Sequence, residues 1–235
     1  MFTFEPVGMI HSCFREKFGI PRQPGLVPEA RAILELLPPY NRPEAVRGLE
    51  GFSHIWVSFV FHACLGESWK PTVRPPRLGG NRRLGVFATR STHRPNPIGL
   101  SAVELEKIEA ESGKVLLHLK GVDLLDGTPV LDIKPYLPYS DRIADATGGF
   151  AAEAPAAPFE VRFSPSALDC CATVPQLEAL IRRILSLDPR PAYYGKGDGN
   201  RVFGMKLLDY DVKWEVDGDV VLVNAVIPIG EMSIP

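Results

Sequence analysis

The chain has 235 residues. At ~150 residues per domain that is one large unit, or a large one beside a smaller one, with a core that needs no staples. A 45% hydrophobic and 23% charged composition excludes wholesale disorder, and 21 glycines with 23 prolines argue against a long helical bundle. The net charge of −2 excludes a uniformly basic nucleic-acid coat, so an RNA role must rest on local charge. Cys13, Cys64, Cys170 and Cys171 form no C-x-x-C pair, and the five histidines have no metal-ligand spacing, so no metal site is expected. The start, Met1 to Pro6, has neither the basic region nor the apolar run of a signal peptide. The longest apolar stretch, Ile55 to Leu65, falls far short of the ~20 residues that span a bilayer. A soluble cytoplasmic protein with no membrane partner is expected.

In chain order, Phe2 to His11 reads as a strand. Residues 15–28 read as a loop broken by Pro21, Pro24, Gly25 and Pro28. Ala30 to Leu37 reads as a short helix stopped by Pro38 and Pro39, with a further turn at Pro43 to Leu49. Ser53 to His62 is almost continuously apolar and reads as a strand buried on both faces. A loop over 66–83 leads to strands at Leu84 to Thr89, Leu100 to Glu109, Lys114 to Leu125 and Val130 to Tyr136. Turn signals fall at Ser112-Gly113 and at Asp126-Gly127, which alone reads as an ordinary hairpin turn between strands. Many short strands separated by turns indicate an all-β barrel or sandwich. The Ala/Gly/Pro-rich stretch 144–158 reads as a linker, placing a first domain at 1–145 and a second at 146–235. In the second, Thr173 to Leu187 carries a helical apolar stripe, with Thr173 and Gln176 spaced as a capping box. Val202 to Val216 and Val220 to Ile227 flank a hairpin signal at Asp217-Gly218. The second unit is therefore a small α+β domain.

Three stretches carry candidate chemistry. From Trp69 to Val103 there is no acidic residue, yet Lys70, Arg74, Arg77, Arg82, Arg83, Arg90 and Arg94 fall there. They form either a surface for phosphate or carboxylate, which the guanidinium fork suits, or a solvated loop paired with the acidic stretch that follows. The second is Arg90-Ser91-Thr92-His93-Arg94-Pro95-Asn96-Pro97-Ile98-Gly99, six polar side chains on a loop stiffened by two prolines. It is either a ligand loop or a turn that caps its own backbone. The third holds Asp123, Asp126 and Asp132, any of which could be a ligand carboxylate, a proton acceptor or a turn cap paired with Lys134. No G-x-G-x-x-G fingerprint, Walker loop, H-E-x-x-H or G-x-S-x-G motif occurs.

Pro21-Arg22-Gln23-Pro24-Gly25, His62, the run Gly85 to Gly99 and the run Asp123 to Tyr136 together closely resemble the TsaA-like β-barrel family. Within it the chain is similar to the bacterial tRNA N6-methyltransferases that act on threonylcarbamoyladenosine beside the anticodon. The similarity extends to Asp188-Pro189-Arg190-Pro191-Ala192-Tyr193. The resemblance implies a mostly β fold: a single-sheeted barrel that binds S-adenosyl-L-methionine, with a small α+β C-terminal domain, assembled as a homodimer with the cofactor near the subunit interface. Carried over position by position, it implies cofactor contacts at Pro21, Arg22, Gln23, His62, Ala63, Arg90, Leu100, Asp126, Gly127, Thr128 and Pro129. Asp126 and Asp132 are the candidate proton acceptors, and the chemistry would also allow no base at all. The expected partner is the anticodon arm of a tRNA carrying threonylcarbamoyladenosine. Its contacts are expected among Arg74, Arg77, Arg82, Arg83, Arg94, Lys134, Arg190, Tyr193, Lys196 and Arg201. A non-catalytic RNA-binding or cofactor-sensing module is the competing reading.

Overall fold

The computed structural model describes residues 3–66, 68–191 and 201–230. Its first unit is a closed antiparallel barrel of six strands: β1 (Gly8–Ser12), β2 (Arg31–Leu36), β3 (His54–Val60), β6 (Ile98–Glu111), β7 (Lys114–Lys120) and β8 (Thr128–Pro135). The two-residue strands β4 (Thr72–Val73) and β5 (Leu84–Gly85) pair with each other outside it. Around the barrel the order is β1-β2-β7-β6-β3-β8. Period-2 patterning fills the interior: Ile10, Leu34, Ile55, Val57, Val103, Leu117, Leu119 and Val130 are all at most 1% exposed. At ~1.5–3 kcal/mol per buried aliphatic side chain, this layer is the main stabilising term. Inside the barrel the tip of the Phe59 ring presses on Gly99, where a Cβ would stand 2.2 Å from Phe59 Cζ, so only glycine fits there.

A one-turn helix, α1 (Pro138–Asp141), closes the unit; its Asp141 accepts a hydrogen bond from Trp56 Nε1 at 3.0 Å. Beyond an exposed stretch, a second sheet runs β10 (Phe203–Leu207), β11 (Tyr210–Asp217), β12 (Val220–Pro228), β9 (Glu160–Phe163). Strands β9 and β12 are parallel, and the chain between them passes through α2 (Pro165–Cys171), α3 (Leu177–Ser186), β10 and β11. Buried Leu177, Leu180, Ile181, Ile184 and Leu185 form the apolar stripe of α3. The two units share one continuous core. Phe14 bridges to Leu207, and Phe18 stacks on Trp214, which stacks in turn on Phe203. The first connection of the barrel thus rests on the second sheet.

The barrel with a small α+β unit matches the fold class expected from the sequence, and the Asp217-Gly218 hairpin forms between β11 and β12. Several element assignments need correction. Ala30 to Leu37 is a strand, not a helix. Ala32, Leu34 and Leu36 point inward at period 2, and pairing with both β1 and β7 outweighs the helix propensity of the segment. Strand β3 is buried on one face only, with Trp56, Ser58 and Val60 partly exposed outside. Leu84 to Thr89 breaks after Gly85 into a 3-10 turn over Val86–Ala88. Asp126-Gly127 does not join a hairpin, because β8 pairs with β1 and β3 and not with β7. Thr173 does not cap α3: its hydroxyl donates to Cys170 O at 2.7 Å, and the helix starts after Gln176, whose φ is 65°. The stretch from Val202 to Val216 is two strands that reverse at Leu208, φ 51°.

Candidate active site

Three connections leave the same end of the barrel. Residues 13–30 join β1 to β2, residues 61–97 join β3 to β6, and residues 121–127 join β7 to β8. Since β7 and β8 stand opposite each other in the ring, the 121–127 segment must cross the barrel mouth. It is anchored on both sides. Gly121 N donates to Ala30 O and Gly25 N donates to Gly121 O, each at 2.8 Å. On the far side Ser12 Oγ donates to Leu124 O at 2.7 Å, and Gly127 N donates to Ile10 O at 2.8 Å. Every residue expected to contact the cofactor lies on one of these connections or on the strand ends beside them.

Arg90 donates to the side-chain oxygen of Gln23, tying the 61–97 loop to the 13–30 loop. Lys17 Nζ adds a second tie, donating to Ala63 O at 2.8 Å. His62 and Ala63 sit on the 3-10 turn just beyond β3, with Ala63 exposed. Leu100 projects outward from β6 and is 57% exposed. Gly127, at φ 72°, faces open space, and Thr128 is buried, its hydroxyl donating to Leu125 O at 2.6 Å. Burial of the guanidinium lowers the pKa of Arg22, opposed by the Asp188 carboxylate, although the residue as a whole stays exposed.

The three aspartates have different surroundings. Asp126 is clamped: one oxygen accepts from Ser12 N at 2.9 Å and the other from Arg15 Nη1 at 2.5 Å. Asp132 lies on the outer face of β8, exposed and paired with Lys134, away from the mouth. Asp123 lies in the crossing segment, only partly exposed, and accepts from the buried Ser101 hydroxyl at 2.7 Å. Burial pushes its pKa up to about 6; the Ser101 hydrogen bond, its own backbone amide and the Arg90 charge act in the opposite direction.

The expected RNA contacts divide in the same way. Arg74, Arg77, Arg82 and Arg83 are exposed on the arm built around the β4–β5 ribbon, with Arg77 donating to Glu153 O and Arg83 to Thr72 Oγ1. Trp69 and Phe87, 49% and 77% exposed, stand at its base, where Val86 N donates to Pro71 O. The sequence reading passed over both; exposed aromatics beside cations offer faces on which bases can stack. Arg94 turns back on its own loop, donating to Thr89 O and Ser91 O, and so braces the loop. Lys134 is paired with Asp132 on the barrel wall. Arg190 must be corrected: its side chain is 4% exposed, bonded to Asp188 at 2.8 and 3.1 Å, and stacked over Phe159. A buried, paired guanidinium cannot serve as a surface phosphate contact. Arg201 lies over the ring of Phe203. Tyr193 and Lys196 lie outside the described residues.

The donors at the mouth suit a methyl donor of the S-adenosylmethionine type. The Arg90 guanidinium matches a carboxylate, exposed Leu100 an apolar ring face, and the open turn at Gly127 a close backbone approach. Among the described residues no cluster could hold a metal ion.

Comparison with known proteins agrees over most of the chain. Residues 9–142 match the model of the tRNA-methyltransferase O N-terminal domain, and residues 156–229 that of the TrmO C-terminal domain. The tRNA (adenine(37)-N6)-methyltransferase of Escherichia coli K12 is 51% identical over 219 residues, 92% of this chain and 93% of that protein. A Pseudomonas aeruginosa protein described as a putative S-adenosylmethionine-dependent methyltransferase, RcsF, is 54% identical over 217 residues, 90% of this chain and 91% of its own. The crystal structure of TrmO from Pseudomonas aeruginosa superposes with a TM-score of 0.81 at 44% identity, covering 96% of this chain and 98% of that one.

Proposed function

The chain belongs to the tRNA-methyltransferase O family, and from that premise we propose which substrate it takes and which residues handle it. It is an S-adenosylmethionine-dependent tRNA methyltransferase acting on N6 of the adenine at position 37. Its substrate is the threonylcarbamoylated form of that adenosine, beside the anticodon. The observation that carries the site assignment is the convergence of the 13–30, 61–97 and 121–127 connections at one barrel mouth, tied by Gln23 and Arg90.

The methyl donor supplies an electrophilic methyl group on a sulfonium, and the protein has to align the acceptor nitrogen with it. Pro21, Arg22, Gln23, His62, Ala63, Arg90, Leu100 and the Asp126-Gly127-Thr128-Pro129 turn form the donor's bed. In this arrangement Asp126 shapes the turn through Ser12 and Arg15. The arm bearing Arg74, Arg77, Arg82 and Arg83 meets the phosphates of the anticodon arm, with Trp69 and Phe87 as stacking faces. Phosphate contacts carry no sequence information, so discrimination falls to the modified base, flipped into the mouth. The enzyme works as a homodimer, for which exposed Ile98 and Leu100 on the outer face of β6 supply an apolar contact beside the site. No helix among the described residues is long and apolar enough to cross a membrane, and a cytoplasmic location follows from the tRNA substrate.

Incubation of the protein with methyl-labelled donor and tRNA carrying or lacking the threonylcarbamoyl group tests this reading. Label should pass to the modified tRNA, while the unmodified form binds almost as tightly and is methylated far more slowly. Binding of tRNA without transfer would identify a non-catalytic module instead, and equal labelling of both forms would refute the substrate.

A further inference from the structure

We propose that Asp123 is the catalytic base, taking the N6 proton of the acceptor adenosine as the methyl group arrives; the role rests on the methyltransferase reading above. The nitrogen that is methylated carries a carbonyl on one side and the purine ring on the other. Its lone pair is withdrawn, and it becomes an adequate nucleophile only as its proton leaves. As the N6–C bond forms and the C–S bond breaks, the electron pair of that bond goes to sulfur, which becomes a neutral thioether. The N6–H proton passes to a carboxylate oxygen of Asp123 and from there to solvent after product leaves. Charge and atoms balance with no further reagent.

Of the three aspartates near the site, the geometry favours this one. Asp126 has both oxygens engaged, one by the Ser12 backbone amide and the other by Arg15, so neither is free to meet the acceptor nitrogen. Asp132 is on the barrel wall with Lys134. Asp123 stands on the segment that crosses the mouth, between the Arg90 loop and the barrel interior. Its side-chain hydrogen-bond partner is a neutral hydroxyl, Ser101, and no cation is paired with it among the described residues. Ser101 is itself 2% exposed on the inner face of β6, and its hydroxyl fixes one carboxylate oxygen of Asp123. Ser101 is a positioning residue in this account.

Burial supports the assignment by raising the carboxyl's affinity for a proton, to a pKa of about 6. The groups that bear on its titration come from each neighbouring element. Ser101 from β6 is neutral, Arg90 from the 61–97 loop lowers the value, and Asp126 of its own segment is turned to Ser12 and Arg15.

Asp123→Asn keeps an oxygen for Ser101 and removes the base. The experiment measures single-turnover methylation of threonylcarbamoylated tRNA from pH 5 to 8.5, alongside calorimetric binding of the demethylated product of the methyl donor. The wild-type rate should rise about tenfold per pH unit below the carboxyl pKa and level off above it. Asp123→Asn should bind the product within about threefold of wild type, lose ~10²–10⁴ in rate, and lose the inflection. Asp123→Glu should restore part of the rate and the inflection together. Carbon NMR of the labelled carboxyl, assigned by its loss in Asp123→Asn, should show titration near pH 6. A wild-type rate in Asp123→Asn, an equal loss of product affinity and rate, or a carboxyl titrating at its ordinary value of about 3.9 would overturn the proposal. Absence of any transfer by the wild-type protein would overturn the underlying methyltransferase reading, and this proposal with it.

Discussion

Replacing Asp123 by asparagine should make the protein more stable at neutral pH. The carboxyl pKa moves from 3.8 to about 6 on folding, because burial disfavours the charged form. A group whose folded pKa is raised stabilises the native state most below the unfolded value, and that stability is lost as pH rises through the folded one. At ~1.36 kcal/mol per pKa unit, a shift of about two units costs the ionised wild type roughly 3 kcal/mol above pH 6. Asparagine escapes this cost, since it carries no charge and still accepts from Ser101. At ~2–4 °C per kcal/mol for a chain of this length, the midpoint should rise by about 6–12 °C. Scanning calorimetry of both proteins from pH 3.5 to 8 measures it. The gap should be near zero below pH 4, open between pH 4 and 6, and stay flat above. A variant equal to or less stable than wild type at pH 8, or a gap constant across the range, would refute the claim that Asp123 is held ionised against its environment.

Arg190→Ala should cost about 3 kcal/mol in urea unfolding, at the low end for a broken buried pair because Asp188 is about one-third exposed. It should leave the salt dependence of tRNA binding untouched, whereas a changed slope would return Arg190 to the RNA surface. Removing Arg82 and Arg83 together should lower the slope of log affinity against log salt by about 1.4–1.8, read by filter binding across a salt series, and should weaken modified and unmodified tRNA alike. An unchanged slope would move the phosphate contacts elsewhere. Gly99→Ala should destabilise by roughly 1–3 kcal/mol or more, because its Cβ meets the Phe59 ring, and Phe59→Leu in the same chain should recover part of the loss. Indifference of thermal unfolding to Gly99→Ala would show that the ring is free to move.

Local signals revealed those parts of the fold whose cause is local. The hairpin at Asp217-Gly218, the apolar stripe of α3 and the alternation in β7 all follow from turn chemistry or periodicity. The segment Arg31–Leu36 did not, because Ala-Ile-Leu-Glu-Leu suits a helix locally and becomes a strand through partners on both sides. Nor is the crossing of the barrel mouth by 121–127 visible in the sequence. The spacing around Asp126-Gly127 reads as a hairpin, and only the ring order of the strands shows that β7 and β8 stand opposite each other. That topology separates the aspartates. The sequence points to Asp126 and Asp132 as candidate acceptors and not to Asp123, yet one is clamped by Arg15, one lies on the wall, and only Asp123 faces a neutral hydroxyl at the mouth. Arg190 looked like a surface cation for the same reason: Phe159, the ring it stacks on, is far away in sequence.

The central claim is that the barrel mouth carries out methyl transfer to N6 of threonylcarbamoyladenosine in tRNA. Mass spectrometry of nucleosides from such a tRNA, after reaction with the wild-type protein and with folded Arg90→Lys, tests it most directly. The account predicts one added methyl on N6 of the threonylcarbamoyl nucleoside with wild type, and a clear loss with Arg90→Lys, which keeps the charge but not the fork. A methyl group placed elsewhere on the tRNA, or full methylation by Arg90→Lys, would contradict it.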